Sequence, residues 1–340
     1  MPAQVGLAQP RPSHTAPTSS GFRPGMRRLA GALTTAAALL VTVWAAAPAQ
    51  ATGAPVAAPA QANAPTVNAK GAIVINDSTG TPLWSKFAGT ARPMASTTKI
   101  MTAVVVLEAK GVNLNRLITV QQAYRDYVAT HGASSADLRT GDKLTVRQLL
   151  YALMLPSGCD AAYALADNFG HGSTRAARTA DFIAQMNAKA TSLWLENTHY
   201  DSFDGIAANG ATYTTPRSLA VLARHALDND TFRAVVGSVH TFQKAANVNR
   251  TYTWYNTNGL LGAYKGAIGI KTGTSTPAGH CLVFAAERNQ RIVVGVLLAD
   301  DNRFADAAKL LDWAYGNTSG TRSTTTTFAP RALPASAPTD

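Results

Sequence analysis

The sequence predicts an α/β domain whose single antiparallel sheet is built from both chain ends, with flanking helices and an inserted helical region. Three observations predict it. Short apolar runs of strand character lie near the start, at Ala72–Asn76 and Leu83–Trp84. Others lie near the end, at Cys281–Glu287 and Ile292–Leu298. Between them, segments with apolar residues at helical spacing fill most of the chain, and no internal repeat interrupts the pattern. At 340 residues and 46% hydrophobic composition, the chain can bury one large core or two smaller ones.

The first 51 residues read as an export signal or N-terminal anchor. Arg27 and Arg28 precede an uncharged stretch from Leu29 to Ala47, and Ala49-Gln50-Ala51 is a small-residue cleavage pattern. Met26 is an alternative start. Residues 52–66 are rich in Ala and Pro and read as a linker. The main domain spans 67–317, and the Ser/Thr/Pro-rich residues 318–340 read as a disordered tail.

Inside the domain, Ser78-Thr79-Gly80 turns the first two strands into a hairpin. A helix starts near Ser96 and ends near Lys110-Gly111; Leu117–Val120 is a short strand or turn. Residues 121–143, polar and glycine-containing, read as surface loops. Helices follow over Thr145–Leu155, Asp160–Phe169 and Ala176–Leu195. Thr214-Thr215-Pro216 caps another helix that runs to Leu227, and Asn302–Tyr315 closes the domain.

Formal charge is +11, of which four arginines belong to residues 1–51; the remaining 26 basic and 19 acidic residues leave +7. The basic residues are scattered, which disfavours nucleic acid and leaves an anionic polymer or membrane surface acceptable. Seven histidines show no metal-ligand spacing, so no metal and no cofactor is expected. Cys159 and Cys281 are read as free thiols rather than a disulfide.

Chemistry concentrates at Ala95–Thr102. Ser96 and Lys99 lie three apart at a helix start, on one face, where free main-chain N–H groups and the positive dipole end favour an anion. Ser96-x-x-Lys99, Ser157-Gly158 and Lys271-Thr272-Gly273 are each weak alone. Together and in this order they resemble the serine penicillin-recognising enzymes, and among them the low-molecular-mass D-alanyl-D-alanine carboxypeptidases. The resemblance covers roughly 67–316 and extends to Pro93–Thr102, Leu153–Ala162, Tyr213–Pro216, Asn256–Leu261 and Gly269–Thr274.

The resemblance implies a β-lactamase/transpeptidase-like fold and a site residue by residue. Ser96 would attack the carbonyl between two D-alanines of a peptidoglycan stem peptide, forming an acyl-enzyme. Lys99 would take the Ser96 proton, and Ser157 would bridge Lys99 to the departing amine. The N–H groups of Ser96 and Thr274 would form the oxyanion hole. Lys271, Thr272 and Thr274 would hold the terminal carboxylate, and Gly273 would let backbones approach closely. β-Lactams would acylate Ser96, at the outer face of the cytoplasmic membrane or in the cell wall.

One position departs from the pattern. The family motif is Ser-x-Asn, and here Cys159 stands where the asparagine is usual, which puts the hold on the substrate amide in question. Cys159 is read either as a tolerated small residue or as a functional thiol. A β-lactamase would need a glutamate followed by Leu-Asn, and none of Glu108, Glu196 and Glu287 is. A transpeptidase passing the acyl group to another peptide's amine remains the alternative, with a non-catalytic wall-binding or antibiotic-sensing module behind it.

Overall fold

The computed structural model describes residues 64–206, 211–316 and 328–334. The expected signal or anchor (1–51) and all of the linker except 64–66 lie outside the described residues. No helix among the described residues is long and apolar enough to cross a membrane.

In chain order, β1 (Gly71–Asn76) and β2 (Pro82–Lys86) form the expected hairpin, and β3 (Arg92–Pro93) leads to a 3₁₀ turn over Ala95–Thr98. Then come α1 (Lys99–Leu107), β4 (Leu117–Thr119), α2 (Gln122–His131) and β5 (Lys143–Thr145). The helices α3 (Val146–Met154), α4 (Cys159–Phe169) and α5 (Arg175–Ser192) complete the insert. Next are β6 (Tyr213–Thr214), α6 (Pro216–Leu227), α7 (Asp230–Gly237), β7 (His240–Lys244) and β8 (Thr251–Tyr255). The chain returns to the sheet through β9 (Ala267–Ser275), β10 (Gly279–Arg288) and β11 (Arg291–Leu298), and ends the domain with α8 (Arg303–Ala314).

The main sheet runs β2-β1-β11-β10-β9, each neighbour antiparallel, so residues from both ends of the domain share it. Both faces of β1, β10 and β11 are buried, which is why these strands read as nearly unbroken apolar runs. Ile73, Ile75, Val283, Val294 and Val296 face the core shared with α1 and α6. Ala72, Val74, Leu282, Phe284 and Leu297 pack with Leu310 and Leu311 of α8. Gly295 sits opposite Phe284 because the ring occupies the space of a side chain; a Cβ there would lie 2.1 Å from it.

Helix caps follow the sequence signals. Thr145 accepts from the Gln148 N–H while the Gln148 side chain accepts from the Thr145 N–H, a closed capping box. Thr215 caps α6, with Pro216 at its first position.

Two expectations are corrected. Residues 121–143 are not all surface loop, because α2 occupies 122–131. Tyr124 and Tyr127 form its inner stripe and pack with Tyr163 and Phe203, so aromatic hydroxyl-bearing residues carried an apolar face. The tail is not uniformly without structure either. Residues 328–334 lie against the domain, held by Arg331 and Phe328. The α7 helix and the β7–β8 hairpin had no counterpart in the sequence reading.

Candidate active site

Met94, Ala95 and Ser96 enter the 3₁₀ turn with Ala95 in the left-handed region (φ 46°), a costly conformation for a side chain with a Cβ. The turn is pinned by the Thr97 hydroxyl donating to Met94 O and the Thr98 hydroxyl donating to Ala95 O. Ser96 is thereby presented at the cleft, 9% exposed, while Lys99 one turn later is fully buried. Lys99 Nζ lies 2.9 Å from Ser96 Oγ, 2.9 Å from Asp204 O and 3.3 Å from Cys159 Sγ.

The loop carrying Asp204 is pressed onto the serine. Gly205, at φ 94°, would place a Cβ 2.1 Å from Ala95 O, so a glycine is required both for space and for conformation. The opposite loop, Ser157-Gly158-Cys159, enters α4 with Ser157 also in the left-handed region (φ 64°). Asp160 fastens it by accepting from the Ser135 hydroxyl and from the N–H groups of Ala136 and Leu138. Cys159 donates its N–H to Ser134 O.

The strand wall is β9, an edge strand of the sheet, so one row of its main-chain groups is left unpaired by other strands. Gly273 lies flat against the serine turn; a Cβ there would be 3.0 Å from Ser96 N and 3.1 Å from Met94 O. The Thr274 hydroxyl is held from behind by Arg303 Nη1 at 3.0 Å and meets His280 Nδ1 at 3.2 Å. Arg303 also donates to Gly273 O. Lys271 is buried, with Nζ donating to Thr272 O at 3.1 Å, and the Thr272 hydroxyl meets that of Thr257 at 2.5 Å.

Between these walls lies a cleft of about 370 Å³ lined by Ser96, Cys159, Ile206, Thr274, Thr276 and His131, among others. The geometry brings together Ser96, Lys99, Cys159, Gly273 and Thr274, with Lys271 and Thr272 behind the strand edge. The expected bridge through Ser157 is not closed. Its hydroxyl is buried, has no hydrogen-bond partner among the described residues, and does not line the cleft. Lys99 contacts the Cys159 sulfur instead.

Burial pushes the Cys159 thiol well up, against the pull of the Lys99 amine, which keeps it a neutral, weakly bonding group. Cys281, opposite Gly273 on β10, is likewise buried, and burial pushes its thiol up to about 11. Both cysteines are free. None of the three glutamates lines the cleft among the described residues: Glu108 pairs with Lys189 and His225, Glu287 with Arg233, and Glu196 lines a separate hollow.

Arg303, the carbonyl of Asp204, His280 and Thr257 were missed by sequence reasoning. Asp204 lies in an aperiodic polar stretch, and Arg303 reaches Thr274 only because α8 folds back on the sheet; neither leaves a short-range signal.

The profile of the family described as D-alanyl-D-alanine carboxypeptidase matches residues 58–302. A D-alanyl-D-alanine carboxypeptidase of Streptomyces sp. (strain K15) is 52% identical over 258 residues, 74% of this chain and 88% of that protein. The crystal structure of the Streptomyces K15 DD-transpeptidase superposes with a TM-score of 0.73 at 53% identity, covering 75% of this chain and 99% of that one. The carboxypeptidase DacF of Bacillus subtilis is 29% identical over 73% of this chain, which spans 62% of DacF. On the match of most of the domain and of its fold, this chain belongs to the D-alanyl-D-alanine carboxypeptidase family.

Proposed function

We propose that the chain is a serine D-Ala-D-Ala carboxypeptidase that trims the terminal D-alanine from peptidoglycan stem peptides through an acyl-enzyme on Ser96. The observation that carries this reading is the fully buried Lys99 amine 2.9 Å from the Ser96 hydroxyl. As the free amine, Lys99 takes the Ser96 proton while Oγ bonds to the penultimate D-alanine carbonyl carbon. The Ser96 and Thr274 N–H groups would receive the oxyanion, a reading supported by the packing of β9 on the serine turn at Gly273. When the C–N bond breaks, the proton passes to the departing D-alanine nitrogen through Ser157, whose unpartnered hydroxyl must first turn toward Lys99. Water then releases the shortened peptide.

An extended substrate lying along β9, the edge strand of the sheet, would add to it by main-chain hydrogen bonds. Its terminal carboxylate would meet the Thr274 hydroxyl, with Lys271 and Thr272 supplying charge and a second hydroxyl, and Arg303 fixing the Thr274 rotamer. A β-lactam would enter the same way and stay, because no glutamate among the described residues lines the cleft to drive its release.

Transfer of the acyl group to another peptide's amine is the second reading. It is favoured by Cys159 in place of the usual asparagine and by the related Streptomyces K15 structure described as a DD-transpeptidase. Export and action at the outer face of the membrane complete the proposal, supported by the Arg27-Arg28 and Leu29–Ala47 pattern. Intact mass before and after penicillin tests the acyl-enzyme and reads the mature N-terminus together. Incubation with a stem peptide plus an amine acceptor separates the two fates. Free D-alanine with an unextended peptide supports hydrolysis, and an amine-extended product supports transfer.

A further inference from the structure

We propose that residues 328–334 are a strap that sets the Lys271–Thr274 wall, with Arg331 as its positioning residue acting through the Asn256–Leu261 turn. Arg331 donates its N–H to Gly259 O at 2.8 Å, its Nε to Leu261 O at 3.2 Å, and its Nη2 to Asn256 O. Among the described residues, no other hydrogen bond reaches these three carbonyls. Gly259 is the seat: a Cβ there would fall 2.8 Å from Pro330 Cβ and 3.4 Å from the Phe304 ring. The Phe328 ring closes edge-on against Tyr264, with centroids 6.2 Å apart. Proline at 330 holds Ala329 extended, which keeps the strap straight across the turn.

The far side of the same turn touches the catalytic strand. Thr257 donates its N–H to Leu155 O, two residues before Ser157, and its hydroxyl meets the Thr272 hydroxyl at 2.5 Å. The turn is therefore clamped between the strap and the two segments that carry Ser157 and Lys271. A second route runs through α8. Phe328 and Pro330 wall a cavity of about 360 Å³ together with Phe304, Arg303 and His280. The last two are the residues that hold the Thr274 hydroxyl. Removing the guanidinium leaves turn carbonyls unsatisfied, and the turn can regain partners only by shifting. A shift there moves Thr257, and Thr272 with it.

The strap lies outside the family match, which stops at residue 302. The inference rests on the proposed chemistry at Ser96, and the test keeps the two apart. Full-length Arg331→Ala, Arg331→Lys and Phe328→Ala are compared with the unaltered protein by thermal midpoint and by second-order acylation of Ser96. One donor is a stem peptide with its terminal carboxylate, and the other is its carboxyl-amidated form.

We expect Arg331→Ala to slow acylation by the carboxylate peptide about tenfold, the loss of a positioned charge-assisted contact, with a smaller effect on the amide. Arg331→Lys should recover part of the rate, and Phe328→Ala should fall between. Equal losses on both donors that follow the thermal midpoint would reduce the strap to a stabiliser. Unchanged acylation in Arg331→Ala would also overturn the inference. Failure of the Ser96 reading shows separately, as the absence of a penicillin adduct in the unaltered protein.

Discussion

On the helical side of the cleft, Lys99 is locked by side chain and main chain at once, through Ser96, Cys159 and the carbonyl of Asp204. On the strand side, Thr274 and Gly273 are backed by Arg303 and His280, and β9 is the edge strand of the sheet. In the proposed mechanism the first wall makes and breaks bonds and the second aligns a chain end. Damage to the helical wall should therefore remove chemistry from every substrate, whereas damage to the strand wall should remove preference among substrates.

The largest effect breaks the helical wall. Ser96→Ala should abolish the mass increase on penicillin treatment, because Ser96 carries the cleft hydroxyl that the Lys99 amine bonds. A full-size adduct on the variant, mapped to another residue, would move the site. Lys271→Ala tests the other wall and should lower acylation by carboxylate-bearing peptides by about 10–100-fold, the scale of a lost charge-assisted hydrogen bond. Carboxyl-amidated peptides should be far less affected. Equal losses on both kinds of donor would erase the distinction between the walls.

A smaller effect sharpens the boundary between them. Cys159 touches Lys99 through a sulfur that bonds weakly, and burial keeps its thiol neutral. Cys159→Asn offers Lys99 a carbonyl oxygen and the substrate an N–H pair, so peptide acylation should rise several-fold, about the value of one net hydrogen bond. An unchanged rate would mark the cysteine as a tolerated replacement. A fall would mean that this cleft is shaped around the smaller thiol.

The two walls were unequally legible in the sequence. Ser96 and Lys99 are three residues apart, so helical geometry alone brings them together, and the apolar run after them names the buried face. The strands were readable for a related reason, since burial on both faces leaves runs such as Ile292–Leu298 with no polar interruption. Gly273 was readable as a place of close approach, and the structure puts the Ser96 turn there. What was missed depends on residues distant in sequence. Arg303 lies 29 residues from Thr274, and Asp204 lies 105 from Lys99. α2 was hidden because its buried stripe is made of tyrosines in a polar, glycine-flanked segment. Arg331 was hidden in a tail whose composition resembles disordered sequence.

The smallest effect concerns how the strand wall is carried. Asp300 is buried just before α8; its N–H donates to His280 O, and its own carbonyl accepts from the Arg303 N–H. Burial, with the Asp306 carboxylate nearby, pushes its carboxyl up to about 6, although the Asn302 N–H pulls the other way. A carboxyl raised in the folded state binds its proton there more tightly than in the unfolded chain. Its stabilising contribution is therefore complete below about pH 4 and is lost as pH rises through about 6. Asp300→Asn keeps the oxygen that accepts from Asn302 and cannot ionise. Relative to the unaltered protein, the variant should gain thermal midpoint between pH 4 and 7, while the two curves run parallel above that window. Parallel curves throughout would mean that Asp300 is already ionised at pH 4, and that Arg303 is carried by α8 without help from a protonated carboxyl.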